Sequence, residues 1–145
     1  MTGMITGKCL CGAVKYSTDT PPAMAGHCYC EACRRSSGTS HCTHVVMREE
    51  GFTLTGTLTY FDKPADSGNI VSRGFCPICG APVLSRNSAM PGMVFVRASS
   101  LDDMDSIRPS MTVYAAQAPG WARVDDDNPV FPQELPVLAE GTLPF

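Results

Sequence analysis

No run in the sequence approaches the roughly 18 apolar residues that a membrane span needs, and no lipidation signal stands at either end. Met1 to Lys8 carries neither a positive n-region nor an apolar h-region, so no secretory leader is expected and the expected compartment is the cytoplasm. The eleven Lys and Arg residues form no basic block interleaved with aromatics, and the net charge of -3 with a pI near 5.5 argues against nucleic acid as a partner. There is no convincing apolar stripe at 3.6-residue spacing, no internal repeat and no linker. From these absences no membrane association is expected, and the 145 residues are expected to form one domain over 1–145 with a core that needs no disulfides.

What the chain does have is short β-patterned segments. Residues 13–16 and 43–47 are β-branched or aromatic enough for strands. Residues 52–61 alternate apolar residues with threonine on either side of Gly56, the period-2 pattern of strands with one wet face. Further strands are expected at 69–75, 81–85, 93–98 and 110–114, with a loop at 18–26 where Pro21 and Pro22 bar a central strand. Residues 102–105 read as a surface turn, and Asp125, Asp126 and Asp127 as a solvated one. From about 119 to 145 the prolines suit an extended tail laid over the domain, with Trp121 as its pin. Many short strands and little helix predict a mainly β domain.

Eight cysteines stand in this β framework, grouped as Cys9-x-Cys11, Cys28-x-Cys30-x-x-Cys33 and Cys76-x-x-Cys79, with Cys42 apart. In a reducing compartment such groups are metal ligands more often than disulfides. Cys28 and Cys30 at i, i+2 lie on one side of an extended segment, and Cys33 closes back after a two-residue turn, so three sulfurs converge on one ion. A structural zinc site is normally closed by four protein ligands, whereas a reactive one keeps a place for water or substrate. Spacing alone leaves the pairing open. Cys30/Cys33 with Cys76/Cys79 would make a zinc ribbon, while Cys9/Cys11 with Cys76/Cys79 would make a closed four-thiolate site. The second arrangement strands no pair, and closing a long loop costs only logarithmically more than closing a short one.

The order Lys-Cys-x-Cys-Gly-Ala-Val from Lys8, His-Cys-x-Cys-x-x-Cys-Arg-Arg-x-Ser-Gly from His27 and Arg-Gly-Phe-Cys-Pro-x-Cys-Gly-x-Pro-Val from Arg73, followed by Ser-Leu-Asp-Asp and Arg-Pro-x-Met, resembles the glutathione-dependent formaldehyde-activating enzyme family. The likeness runs from Gly7 to about Pro132. It implies a β-tent of antiparallel sheets and two zinc ions per chain, one structural on Cys9, Cys11, Cys76 and Cys79. The other, on Cys28, Cys30 and Cys33, would be the catalytic one, with an open position for a thiol. It further implies carbon-sulfur lyase chemistry on glutathione and formaldehyde, that is, a small-thiol substrate. Cys42 departs from the ordinary apolar residue of many members, and either completes the second site or is simply packed.

Three thiolates on a zinc dication leave a net charge of -1 and a weak Lewis acid, so soft sulfur is a better fourth ligand there than water. Glutathione brings two carboxylates, and Arg34 and Arg35 are the nearest guanidinium groups in sequence, with Arg73 and Arg97 further candidates. His27, His41 and His44 are the only groups near the cluster in sequence that titrate around neutrality. His27 reads as a fourth ligand, an outer hydrogen-bond donor or an ordinary backbone-bonded histidine. Two other functions fit the same motifs: a zinc-stabilised β module that binds a protein partner without turnover, and a glutathione carrier.

Overall fold

The computed structural model describes residues 3–134. The protein is mainly β: ten strands, one short α-helix and three single 3-10 turns among the described residues. The strands are β1 (Ile5–Lys8), β2 (Lys15–Thr18), β3 (Met24–Cys28), β4 (Cys42–Arg48), β5 (Phe52–Thr55), β6 (Thr59–Pro64), β7 (Ile70–Phe75), β8 (Pro82–Asn87), β9 (Met93–Arg97) and β10 (Thr112–Val113), and helix α1 is Glu31–Arg35. Among the described residues no helix is long and apolar enough to cross a membrane. The chain divides into two compact units, one made of residues up to Ala23 with Val45–Ile107, the other of Met24–His44 with the chain from Arg108 onward.

The first unit contains an antiparallel sheet of order β1-β2-β5, in which Tyr16 pairs with Gly7 and Leu54. Tyr16 is buried there, bonds Ser100 Oγ at 2.6 Å and stacks on Phe52. The same unit runs β9-β8-β7-β6 in order, antiparallel in each pairing for which the register is defined. Its core is Val14, Val45, Val46, Met47, Val83, Leu84, Val94 and Val96, each essentially removed from water. The β-branched residues that argued for strands in the sequence are thus the ones the sheets bury. A register shift at Gly74 and Phe75 interrupts the β7–β8 ladder just before Cys76, turning the chain out into the second thiol pair.

In the second unit β10 pairs in parallel with β3, setting Val113 beside Cys28 and Thr112 beside His27. Cys28, Cys33, Cys42 and Val113 form its buried cluster, with Cys30, Met111, Tyr114 and Phe131 packed against it. Residues 129–133 run beside β10: Thr112 N–H donates to Pro129 O, Phe131 N–H to Thr112 O and Tyr114 N–H to Gln133 O. These backbone bonds hold the described part of the proline-rich segment. Trp121 does not pin it, because the indole is 74% exposed. Pro136 and Pro144 lie outside the described residues.

Three other sequence expectations shift. Ile5–Lys8 is a strand although nothing periodic marks it, since its ladder with β2 supplies the hydrogen bonds. β3 begins at Met24, inside the expected loop and two residues after the prolines end. The stretch 52–61 forms β5 and β6 on either side of Gly56 as expected, but every residue of β6 is exposed, so that strand has no dry face.

Candidate metal centres

Two backbone knuckles of similar build carry Cys9, Cys11, Cys76 and Cys79. In the first, Cys9 N–H donates to Val14 O, Gly12 N–H donates to Cys9 O, and Val14 N–H points at Cys9 Sγ at 3.3 Å. In the second, Cys76 N–H donates to Ala81 O, Gly80 N–H to Cys76 O, and Ile78 N–H points at Cys76 Sγ at 3.4 Å. Gly12 and Gly80 both sit at positive φ, +81° and +76°, which lets each loop curl its amides toward a sulfur.

The four sulfurs lie within 4.8 Å of one another, with Cys9–Cys11 and Cys11–Cys76 both at 3.7 Å. Ligands 2.3 Å from a tetrahedral zinc stand about 3.8 Å apart, so the donor set fits such an ion without rearrangement. The Cys79 thiol is pulled down to about 6, first by the Ala81 and then by the Cys11 backbone amide, an environment that favours its thiolate. Of the pairings open to spacing, the fold brings Cys9 and Cys11 to Cys76 and Cys79, all in the first unit.

The remaining cluster is built on β3 and α1. Cys28 ends β3, and Cys30 is the N-cap of α1, its Sγ accepting from Cys33 N–H at 3.3 Å. One helical turn then carries Cys33 back to the same point, and Ser36 closes it by donating to Ala32 O at 2.7 Å. The three sulfurs lie within 4.8 Å of one another, and no fourth Cys, His, Asp or Glu among the described residues joins them at that mutual spacing. Without a counter-charge they oppose one another. Contact with Cys30 and Cys33, reinforced by burial, drives the Cys28 thiol far up. Cys33 is relieved by its bond with Cys28 but is still pushed up to about 12 by Cys30 and burial. A soft-accepting dication is what such a crowded, buried set of sulfurs fits.

The structure separates the residues that sequence proximity had grouped. His27 is not in the sulfur set. It alternates with Cys28 along β3, and its Nδ1 meets Thr43 Oγ1 at 2.8 Å. His41 stacks edge-on against His27 and tilted against Tyr29, and its Nδ1 meets Ser40 Oγ at 3.1 Å. Burial pulls both histidines below their ordinary range, with Asp125 opposing at His27. His44 instead lies on the cysteine side: its Nε2 is 3.5 Å from Cys33 Sγ, with only 8% of the residue exposed. Cys42 is buried in the same cluster but outside the mutually close sulfurs. Arg35 is held by Glu31 at 2.9 Å across one turn of α1, whereas Arg34 is exposed with no ion pair among the described residues. Arg73 and Arg97 both belong to the first unit, on β7 and β9.

Residues that sequence reasoning missed are Tyr114, Met111 and Phe131, partly buried against the three-cysteine cluster. Tyr114 is the one described non-glycine residue at positive φ, +56°. A ring-bearing residue in that region is held there by its surroundings, here by the bonds of Tyr114 and Ala115 to the 131–133 segment. Nothing local in the sequence marks it.

The model of the glutathione-dependent formaldehyde-activating enzymes matches residues 4–117, which contain both cysteine clusters. The chain belongs to this family. No curated protein matches it. Among solved structures, a Rhodobacter sphaeroides protein aligns with a TM-score of 0.54 at 24% identity, over 67% of this chain and 87% of that one, a likeness of fold. For this member of the formaldehyde-activating family, both groups of convergent sulfurs fall within the matched region, as do Arg34, Arg35 and His44.

Proposed function

We propose that the protein is a zinc-dependent carbon-sulfur lyase-like enzyme that binds glutathione or a related small thiol at Cys28, Cys30 and Cys33, and makes or breaks the thiol's adduct with formaldehyde. The observation that carries this reading is the contrast between the two sulfur groups: four donors in mutual reach at one, three at the other. Cys9, Cys11, Cys76 and Cys79 hold a structural zinc in this reading, and Cys28, Cys30 and Cys33 hold a second. Bound there, a zinc dication supplies a soft electrophilic site that stabilises a substrate thiol as its thiolate at neutral pH.

The chemistry asked of the chain is simple. A thiolate sulfur adds to the formaldehyde carbon, the carbonyl electron pair moves to oxygen, and that oxygen takes up the proton the thiol released; cleavage is the reverse. Cys30 fixes the centre by capping α1, so the sulfurs are positioned by backbone rather than by mobile side chains. Met111, Tyr114 and Phe131 border the cluster with apolar surface, which limits competition from water for the reacting sulfur. Of the two arginines that follow Cys33, Arg34 has no ion pair among the described residues and is the one placed to take a glutathione carboxylate in two-point fashion, whereas Arg35 is engaged by Glu31.

Substitution tests that division of labour. Arg34→Ala is expected to weaken glutathione binding by about 10-fold, the scale of one charge-assisted contact. Arg35→Ala should change it less than about 2-fold, because an exposed i, i+4 pair contributes only tenths of a kcal/mol. Isothermal titration of the metal-loaded protein with glutathione and with cysteamine, which lacks carboxylates, reads this directly. An Arg34 loss with glutathione but not with cysteamine supports the assignment, and equal losses for both arginines reject it.

A further inference from the structure

His44 lies on β4 two residues after Cys42, so the alternation of the strand puts it on the same side as the buried cysteine cluster. Its Nε2 is 3.5 Å from Cys33 Sγ, a normal separation for an N–H···S bond, and the residue is more than nine-tenths buried. A fourth ligand of a tetrahedral centre would stand at similar short distances from all three sulfurs. His44 does not: the mutually close donor atoms are the three sulfurs alone. Resting on the reading of Cys28, Cys30 and Cys33 as a metal centre, we infer that His44 is a positioning residue outside the coordination shell, which donates Nε2–H to the Cys33 thiolate.

The direction of the bond follows from the chemistry of its partners. A metal-bound thiolate has no proton to give, so the ring nitrogen facing it must be the donor, which puts a proton on Nε2 of His44. Such a bond does two things. It anchors the one sulfur of the three that sits inside α1, and it draws electron density from that sulfur, so three thiolates quench the Lewis acidity of the centre less completely. The fourth position then polarises an incoming thiol more than an unassisted three-thiolate centre would. His27 and His41 cannot substitute. One is bonded to Thr43 and the other to Ser40, and they meet edge-on, neither joining the mutually close sulfurs.

The test uses the full chain loaded with cobalt or zinc. His44→Phe keeps a ring of similar bulk but has no donor, and His44→Gln restores an N–H. Removing the donor raises the energy of the sulfur electrons, so the sulfur-to-cobalt absorption of His44→Phe should move to longer wavelength, and that of His44→Gln should move part of the way back. Zinc affinity at this centre, measured by chelator competition, should fall by about 10- to 100-fold in His44→Phe, as for other outer partners of metal ligands. A merely structural role would leave the absorption where it is, so a folded His44→Phe with the parent spectrum and affinity overturns the proposal.

If His44→Phe does not fold, nitrogen NMR of the parent protein loaded with zinc decides. A protonated Nε2 on His44 supports the bond, and a bare or metal-bound Nε2 overturns it. A parent protein that ignores added thiol while His44→Phe responds would make His44 a fourth ligand and likewise reject the proposal. Failure of the underlying reading looks different: the parent itself would carry a single metal per chain, and this assignment would fall with it.

Discussion

Replacing Cys76 with serine is expected to cost the protein its stable fold. Cys76 has no exposed surface, it receives the chain as it leaves β7, and its sulfur lies 3.7 Å from that of Cys11, 65 residues away. In the proposed reading a four-thiolate zinc at Cys9, Cys11, Cys76 and Cys79 would tie those distant knuckles together, and structural zinc contributes on the order of 10 kcal/mol to folding. That is comparable to the roughly 5–15 kcal/mol by which a whole domain is stable. A serine hydroxyl is a hard, poorly ionised donor and does not replace the thiolate. Circular dichroism should show the loss of a cooperative thermal transition in Cys76→Ser, and a strong chelator should do the same to the parent protein. A variant that melts within a few degrees of the parent would mean that this cluster does not hold a structural metal.

Cys30→Ser is expected to behave in the opposite way, folded but unable to bind the thiol. The reason lies in the double role of Cys30. As N-cap of α1 it accepts from Cys33 N–H, and serine is among the preferred residues at that position, so the turn survives. As a proposed metal donor it supplies one of the three mutually close sulfurs among the described residues, and its loss leaves two. Zinc content should drop from two to one per chain, the melting temperature should stay within a few degrees, and glutathione affinity should fall by at least about 100-fold, more than the loss of an outer partner costs. Elemental analysis, a thermal melt and a thiol titration on the same preparation check the three parts. Intact thiol binding in a folded Cys30→Ser would remove this centre from the function.

The two sites were not equally readable in the sequence. Cys9-x-Cys11-Gly12 and Cys76-x-x-Cys79-Gly80 announce their knuckles through the thiol spacing and the glycines, since only a positive-φ residue closes such a loop cheaply. Which knuckles meet is a matter of topology: spacing alone left a zinc ribbon open, the arrangement that strands no pair favoured Cys9 and Cys11 with Cys76 and Cys79, and the fold brings those four together. At the second centre the three cysteines were legible. Their surroundings were only partly so.

His44 could have been separated from His27, because period-2 alternation from Cys42 puts His44 on the cysteine side, while the same alternation from Cys28 puts His27 off it. Proximity in sequence hid that difference. Tyr114 and Phe131 carried no signal, and Met111 stood only as the end of Arg-Pro-x-Met with no role attached, because all three reach the cluster through the parallel pairing of β10 with β3 and the run of residues 129–133 beside it. Helix α1 is too short for a periodic stripe to declare it, and β1 exists through its ladder with β2. Trp121 fails in the other direction. A large apolar side chain in a proline-rich run predicts an anchor, yet backbone bonds hold the described part of the segment and leave the ring in water.

The proposed function requires the three-cysteine centre to be open to sulfur. It is tested most directly by cobalt substitution: the metal content per chain is counted, and the sulfur-to-cobalt absorption is followed as glutathione is added. Two metals per chain with a saturable rise in that absorption is the predicted result, the extra intensity coming from a fourth sulfur. Two metals with a spectrum indifferent to glutathione and to simpler thiols would contradict it, and would make both centres structural.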